Sequence, residues 1–428
     1  MKRISLFVAI FVVVTVSALA QTPEEMAKAR QAEQSAIKAY QAKNYVEFLA
    51  QMKLANAARP NHPRLIYNLA SAYATAGESE PVYKSLARLA NMGLFFDIAK
   101  DADFAMFVGS GRFKAIEAKF ADNKKAVNNS TRAFSLDDKT LISEGLAYNA
   151  KTETFYVGSV HQRKIVAVKN GVAADFSSPA DGLWSGLGMR VDIARGWLWV
   201  CTAAFPQMRG FDAKDKGKSG IFKYDLRTGK LAKKYILPDG NHALGDVLIG
   251  REGAIFATDS VSPVIYTIDP KRDQLEEFVR SDNFASLQGL AFSNGDREMF
   301  VADYSKGIFR IDMATKQIVQ QTAGVNVTLL GIDGLYDYRG KLIAIQNGVT
   351  PHRVVSFSIS GDRIDEFKTL EANHADFMEP TLGMLIGDDF YYVANSQWPL
   401  VNEKAELTRD KLRQPVVLRL DAKKALVK

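Results

Sequence analysis

Oxygen-bearing side chains recur at one point of a repeated pattern in residues 130–428. Glu144, Asp246, Gln288 and Asp333 each stand beside a glycine at the opening of a short β-rich run: Glu144-Gly145-Leu146, Gly245-Asp246-Val247, Gln288-Gly289-Leu290 and Asp333-Gly334-Leu335. Carboxylate and amide oxygens converging on one axis form a seat for a hard divalent cation such as Ca²⁺, which takes roughly six to eight oxygens. A cation held there polarises an ester or lactone carbonyl and lowers the pKa of bound water. A second polar set (Ser159, Thr202, Asp259, Asp303, Asn347 and Asn395) ends the run that follows each opener. Short polar residues there either face the same site or cap a turn. His161 and His352 fall just beyond two of these ends. Their near-neutral pKa suits proton transfer, which makes them the candidate acid–base residues. His242 and His374 occupy loops of the same kind.

The elements that must position these residues are read from the repeat. Glu144-Gly145-Leu146-Ala147-Tyr148 is followed by Thr154-Phe155-Tyr156-Val157-Gly158 and then by Lys164-Ile165-Val166-Ala167-Val168. The same triplet of runs begins near Gly188, Gly245, Gln288, Asp333 and Thr381. Six units lie about 42–58 residues apart, separated by Asn-Gly, Asp-Gly and Gly-Asp turns, and each has room for four strands. That period predicts a six-bladed β-propeller over 130–428. In such a blade the inner strand leaves one face of the disc and the second strand returns to it, so openers and enders share that face. Arg132 to Leu136 precedes the first unit without a blade of its own and is expected to supply the outer strand that closes the ring.

The openings Glu144-Gly145-Leu146-Ala147-Tyr148, Leu287-Gln288-Gly289-Leu290-Ala291-Phe292 and Ile332-Asp333-Gly334-Leu335 resemble the gluconolactonase/regucalcin superfamily of six-bladed propellers. The resemblance spans about residues 135–420. It implies a divalent cation, usually Ca²⁺, at the channel mouth. The implied ligands are a Glu opening the first blade, Asn residues opening the third and fourth, and an Asp opening the fifth. It also implies hydrolysis of lactones or esters. Glu144 and Asp333 match the first and last ligands. At the third blade Gly245 stands where Asn is expected, with Asp246 the nearest oxygen donor, and at the fourth blade Gln288 replaces Asn.

Residues 22–125 lack strand alternation and are rich in Ala, Leu, Lys and Glu. Thr22-Pro23-Glu24-Glu25 is a helix start. Ala39-Tyr40-Gln41-Ala42-Lys43-Asn44 aligns with Ala72-Tyr73-Ala74-Thr75-Ala76-Gly77, 33 residues later. A helix–turn–helix unit of about 34 residues is the tetratricopeptide period, so a small all-α, tetratricopeptide-like domain is expected here. Helices carrying Phe104, Phe107, Phe113 and Phe120 would cap it. His62, between Asn61 and Pro63, reads as a turn residue.

Residues 1–20 have the layout of a secretory signal: Lys2 and Arg3, an apolar run from Leu6 to Val16, then Ser17-Ala18-Leu19-Ala20. A periplasmic or secreted protein with no membrane span after signal removal is expected. The lone Cys201 excludes an intrachain disulfide and, following Trp197-Leu198-Trp199-Val200, is expected to be buried in a strand. The +7 formal charge is spread along the chain, and its densest run, Lys214, Lys216 and Lys218, sits in a loop, which argues against nucleic acid. Two functions follow. One is an exported, metal-dependent hydrolase of small lactones or esters. The other is a non-enzymatic propeller that binds a ligand at its mouth while the helical repeat docks a protein partner.

Overall fold

The computed structural model describes residues 22–427. The expected export signal lies outside the described residues. Among those described, no helix is long and apolar enough to cross a membrane.

The chain opens with helices α1 (Pro23–Gln41), α2 (Tyr45–Ala58), α3 (Pro63–Thr75), α4 (Ser79–Asn91) and α5 (Gly111–Asn123). Local chemistry sets their starts. Thr22 and Glu25 form a reciprocal capping box ahead of Pro23, which satisfies two of the free N–H groups of the first turn. Asn44 caps α2. His62, expected only as a turn residue, caps α3: its ring nitrogen accepts from the Leu65 N–H. The two aligned segments, Ala39–Asn44 and Ala72–Gly77, fall at the C-terminal ends of α1 and α3. Phe104, Phe107, Phe113 and Phe120 are buried against Ile66, Leu86 and Leu89, so the later segments do cover the open face of α3 and α4. Each buried phenyl stabilises that face by roughly 1.5–3 kcal/mol.

Strands begin at Ser130 and form a six-bladed β-propeller, each blade an antiparallel sheet. Blades 1 to 5 span residues 143–175, 185–236, 244–280, 287–320 and 332–372, and the fifth carries an extra short strand, Thr322–Ala323. Blade 6 combines Gly383–Ile386, Asp389–Val393 and Val416–Asp421 with the early strand Ser130–Ser135. Ser130 pairs with Leu420 and Ser135 with Val416, so the segment before the first blade closes the ring from outside. Its start is pinned by Glu371, whose carboxylate accepts the N–H groups of Asn129 at 3.0 Å and Ser130 at 2.6 Å. Cys201 is buried in the second strand of blade 2, as its neighbours imply.

The helical domain packs on the propeller beside blades 4 and 5. Val349, from a blade-5 loop, joins the helical core. The Phe95 N–H donates to the Thr350 carbonyl at 2.8 Å, and the Arg88 guanidinium donates to the Val325 carbonyl at 2.8 Å. Arg353, 1% exposed, passes from blade 5 into the end of α4 and donates to the Met92 carbonyl at 2.8 Å.

Candidate active site at the propeller mouth

Each inner strand of blades 1 to 5 breaks register just after it starts: between Ser143 and Leu146, Gly186 and Met189, Leu244 and Val247, Leu287 and Leu290, and Ile332 and Leu335. The two unpaired residues in four of these bulges are a side-chain carrier followed by glycine: Glu144-Gly145, Leu187-Gly188, Gln288-Gly289 and Asp333-Gly334. A bulge turns its side chain out of the pleat. The glycines let neighbouring inner strands touch. A Cβ on Gly289 would stand 2.6 Å from the Asp333 carbonyl, and one on Gly145 would overlap the Leu187 carbonyl. Five bulges thus form a collar around the axis, which brings Glu144, Gln288 and Asp333 to the wall of one cavity of about 360 Å³.

Glu379 and Asn347 share that wall, with Trp398, Phe205 and Leu187 forming an apolar side. Burial raises Glu144 well above the ordinary carboxylate range, and the charge of Asp333 raises it further. The Trp398 indole N–H opposes this by donating to Glu144 Oε2 at 2.7 Å. Burial pushes Asp333 up to about 7, with Glu379 and Asp246 adding to the rise. Asn347 pulls in the other direction by donating to Asp333 Oδ2 at 2.7 Å. Glu379 is raised by burial, and its Oε2 is a buried oxygen without a hydrogen-bond partner.

Asp246 also lines the cavity, but blade 3 reverses the bulge dipeptide. Gly245 takes the outward position and Asp246 the position that is glycine elsewhere. Its side chain is 1% exposed and sits where a Cβ on Gly188 would otherwise stand. Its oxygens meet the Val247 N–H at 2.9 Å and the Arg190 guanidinium at 3.4 Å. A carboxylate already paired with a guanidinium is a poor cation ligand.

The strand enders divide. Asp259 clasps the N–H groups of Ala243, Val261 and Ser262, and Asp303 those of Ala285, Ser286, Ser305 and Lys306. Asn395 bridges Gln414 and Val416. Asn347 is the ender that turns to the acids. Neither His161 nor His352 is among the residues lining the cavity. His161 is buried with Nδ1 2.8 Å from the Gln207 carbonyl, and burial lowers the pKa of His352. His242 is held by Asp259 at 2.8 Å. The placement of Trp398 and Tyr304 at this wall has no signal in the repeat, because both come from connecting loops.

The chain is similar to gluconolactonase- and regucalcin-type propellers of known structure. A gluconolactonase of Xanthomonas campestris shares 14% identity, with 69% of this chain and 99% of that one covered and a TM-score of 0.46. A calcium-binding regucalcin of Agrobacterium tumefaciens shares 14% identity over 68% of this chain and 93% of its own, with a TM-score of 0.48. A luciferin-regenerating enzyme shares 13% identity over 68% and 95%, with a TM-score of 0.44. No family model matches the chain, and no protein of curated function does.

As donors, the Glu144, Asp333 and Glu379 carboxylates and the Gln288 amide suit a hard cation, and the unpartnered Glu379 oxygen is the kind of atom such an ion would satisfy. Among the described residues, however, no three His, Cys, Asp or Glu side chains come together at ligand spacing. The cavity therefore offers oxygen-rich walls with side chains that must move to close on an ion.

Proposed function

We propose that this chain is an exported hydrolase that opens small lactones or esters at the propeller mouth. The observation that carries this reading is two buried acids, Glu144 and Asp333, on the wall of one cavity, both raised above the ordinary carboxylate range and Asp333 to about 7. Burial and the charge of Asp333 disfavour the ionised form of Glu144, so Glu144 keeps its proton when Asp333 ionises. The ionised carboxylate takes a proton from the water that attacks the carbonyl carbon. The protonated one gives its proton to the leaving oxygen as the C–O bond breaks. The Trp398 and Asn347 N–H groups steady the two carboxylates in place. Trp398, Phe205 and Leu187 supply an apolar side against the substrate's carbon frame.

A divalent cation held by Glu144, Asp333, Glu379 and Gln288 would displace the retained proton and supply Lewis-acid polarisation of the carbonyl in place of that general acid. Asp246 is left out of that set because Arg190 engages it. Export to the periplasm or medium is proposed from residues 1–20. The deciding experiment is a panel of γ- and δ-lactones and aryl esters, run with and without chelator, on wild type, Glu144→Gln and Asp333→Asn. Hydrolysis that falls by at least about 100-fold in both variants supports the pair. Hydrolysis by neither wild type nor metal-loaded protein, or unchanged rates in both variants, rejects the enzyme reading. The cation is tested separately by Tb³⁺ luminescence sensitised through Trp398, which should disappear in Glu144→Gln.

A further inference from the structure

A second cavity, of about 700 Å³, lies where the helical domain meets blades 4 and 5. Its walls are mostly carbon: Leu94, Phe95 and Phe96 from the helical side, Leu330 and Val349 from the propeller. Phe95 and Phe96 are only partly buried, although Phe96 stacks on Tyr67 with ring centroids 4.6 Å apart. The volume is within the range of small-molecule sites, roughly 300–1,000 Å³.

The charges on this wall do not cancel. Asp97 is paired with Lys100 at 2.7 Å, and Arg64 with Glu33 at 2.9 Å. Arg59 has no carboxylate within ion-pair distance among the described residues. Its Nη2 donates to the Ser305 carbonyl, and its Nε is buried with no hydrogen-bond partner. His62 adds no charge at neutral pH, because burial pushes it down to about 3. One half-buried guanidinium without a carboxylate partner therefore lines an apolar chamber. A group of this kind is satisfied by a carboxylate or similar anion.

We propose that this interdomain cavity binds a small apolar anion, with its anionic group on Arg59 and its carbon body along Phe95, Phe96, Leu330 and Val349. The site is separate from the acid pair and does not depend on hydrolysis there. Tyr304 lines both cavities, and its hydroxyl donates to Asn347 Oδ1 at 3.2 Å, so an occupant would sit one side chain from the mouth.

The test is calorimetric titration of the full mature chain with decanoate and with uncharged decanol. Decanoate is expected to bind once per chain and at least about tenfold more tightly than decanol, the size of one charge-assisted hydrogen bond. Leu330→Trp, which fills the chamber, should abolish binding of both. Arg59→Met should bring decanoate down to the decanol level. Because that change also removes the contact with Ser305, Arg59→Lys is measured alongside and should keep the preference for the acid. Equal affinity of wild type for the two probes, absence of saturable binding, or binding that survives Leu330→Trp would each overturn the proposal.

Discussion

The side-chain amide of Asn347 donates to Asp333 Oδ2 at 2.7 Å, joining the residue that follows the second strand of blade 5 to the residue that opens its first. The amide has no freedom to turn away. Its Nδ2 also reaches the Pro380 carbonyl at 3.0 Å, and its Oδ1 accepts from Tyr304 at 3.2 Å. This hydrogen bond favours the ionised form of Asp333. Asn347→Leu should therefore raise the Asp333 pKa by about half to one unit. Titration of ¹³C-labelled aspartate carboxyls by NMR checks this directly, and the acidic limb of any lactonase pH profile should move up by the same amount. An unshifted titration would show that burial alone sets the value.

The raised acids make stability depend on pH in a defined direction. In the unfolded chain Asp333 titrates near 4, and in the fold near 7. Between those values the native state holds the extra proton, so the stability that Asp333 contributes is fully present below about pH 4 and is lost as pH rises through about 7. Asp333→Asn removes the penalty. The variant should gain on the order of 2 kcal/mol over wild type at pH 8 and little at pH 4.5. Urea unfolding at the two pH values tests it. A gain of equal size at both would point to packing in place of ionisation.

Most of the fold could be read along the chain because a propeller repeats its chemistry. The unpaired strand near Arg132 and the glycine beside each opener are local signals. Asp246 shows where such reading stops. One exchange, Gly-Asp for the usual order, moves the carboxylate to the opposite side of the strand and gives it to Arg190. The clue was present in the alternation of the strand. Trp398 and Tyr304 carried no such clue, since each is delivered by a loop whose path depends on tertiary packing. The seating of the helical domain was equally hidden: Arg353 and Met92 are 261 residues apart in the chain.

That seating yields a prediction of its own. Arg353 donates to Met92 at 2.8 Å and to Gln346 Oε1 at 2.8 Å, and stacks on Phe367 with its guanidinium carbon 4.7 Å from the ring centre. Gly93, at φ +70° just past α4, leaves room for it, since a Cβ there would stand 2.7 Å from Nη1. Arg353→Leu would strand the carbonyls at the end of α4 and cost about 2–4 kcal/mol. The cost should fall on docking. Limited proteolysis should cut the segment between α5 and Ser130 faster than in wild type, and the helical domain should melt ahead of the propeller. One cooperative transition with unchanged proteolysis would show that the remaining contacts suffice.

The collar of bulges is the feature on which the mouth depends, and Gly289 is its most direct test. A methyl group there would stand 2.6 Å from the Asp333 carbonyl and closer still to the Leu335 N–H, both backbone atoms of the next blade. Backbone in an inner strand packed on both faces cannot yield as a flexible side chain would. Gly289→Ala should cost about 2–4 kcal/mol. Gly340→Ala is the control. Gly340 has φ +81° and nothing within 4 Å of its added Cβ, so only backbone strain of about 1 kcal/mol is expected. Thermal unfolding of the two variants separates crowding from strain. If Gly289→Ala costs no more than Gly340→Ala, the blades can part at the axis, and the spacing of Gln288 from Asp333 is adjustable. If it costs several times more and also weakens Tb³⁺ binding, the close contact of the inner strands is what holds the acids and amides at their separation.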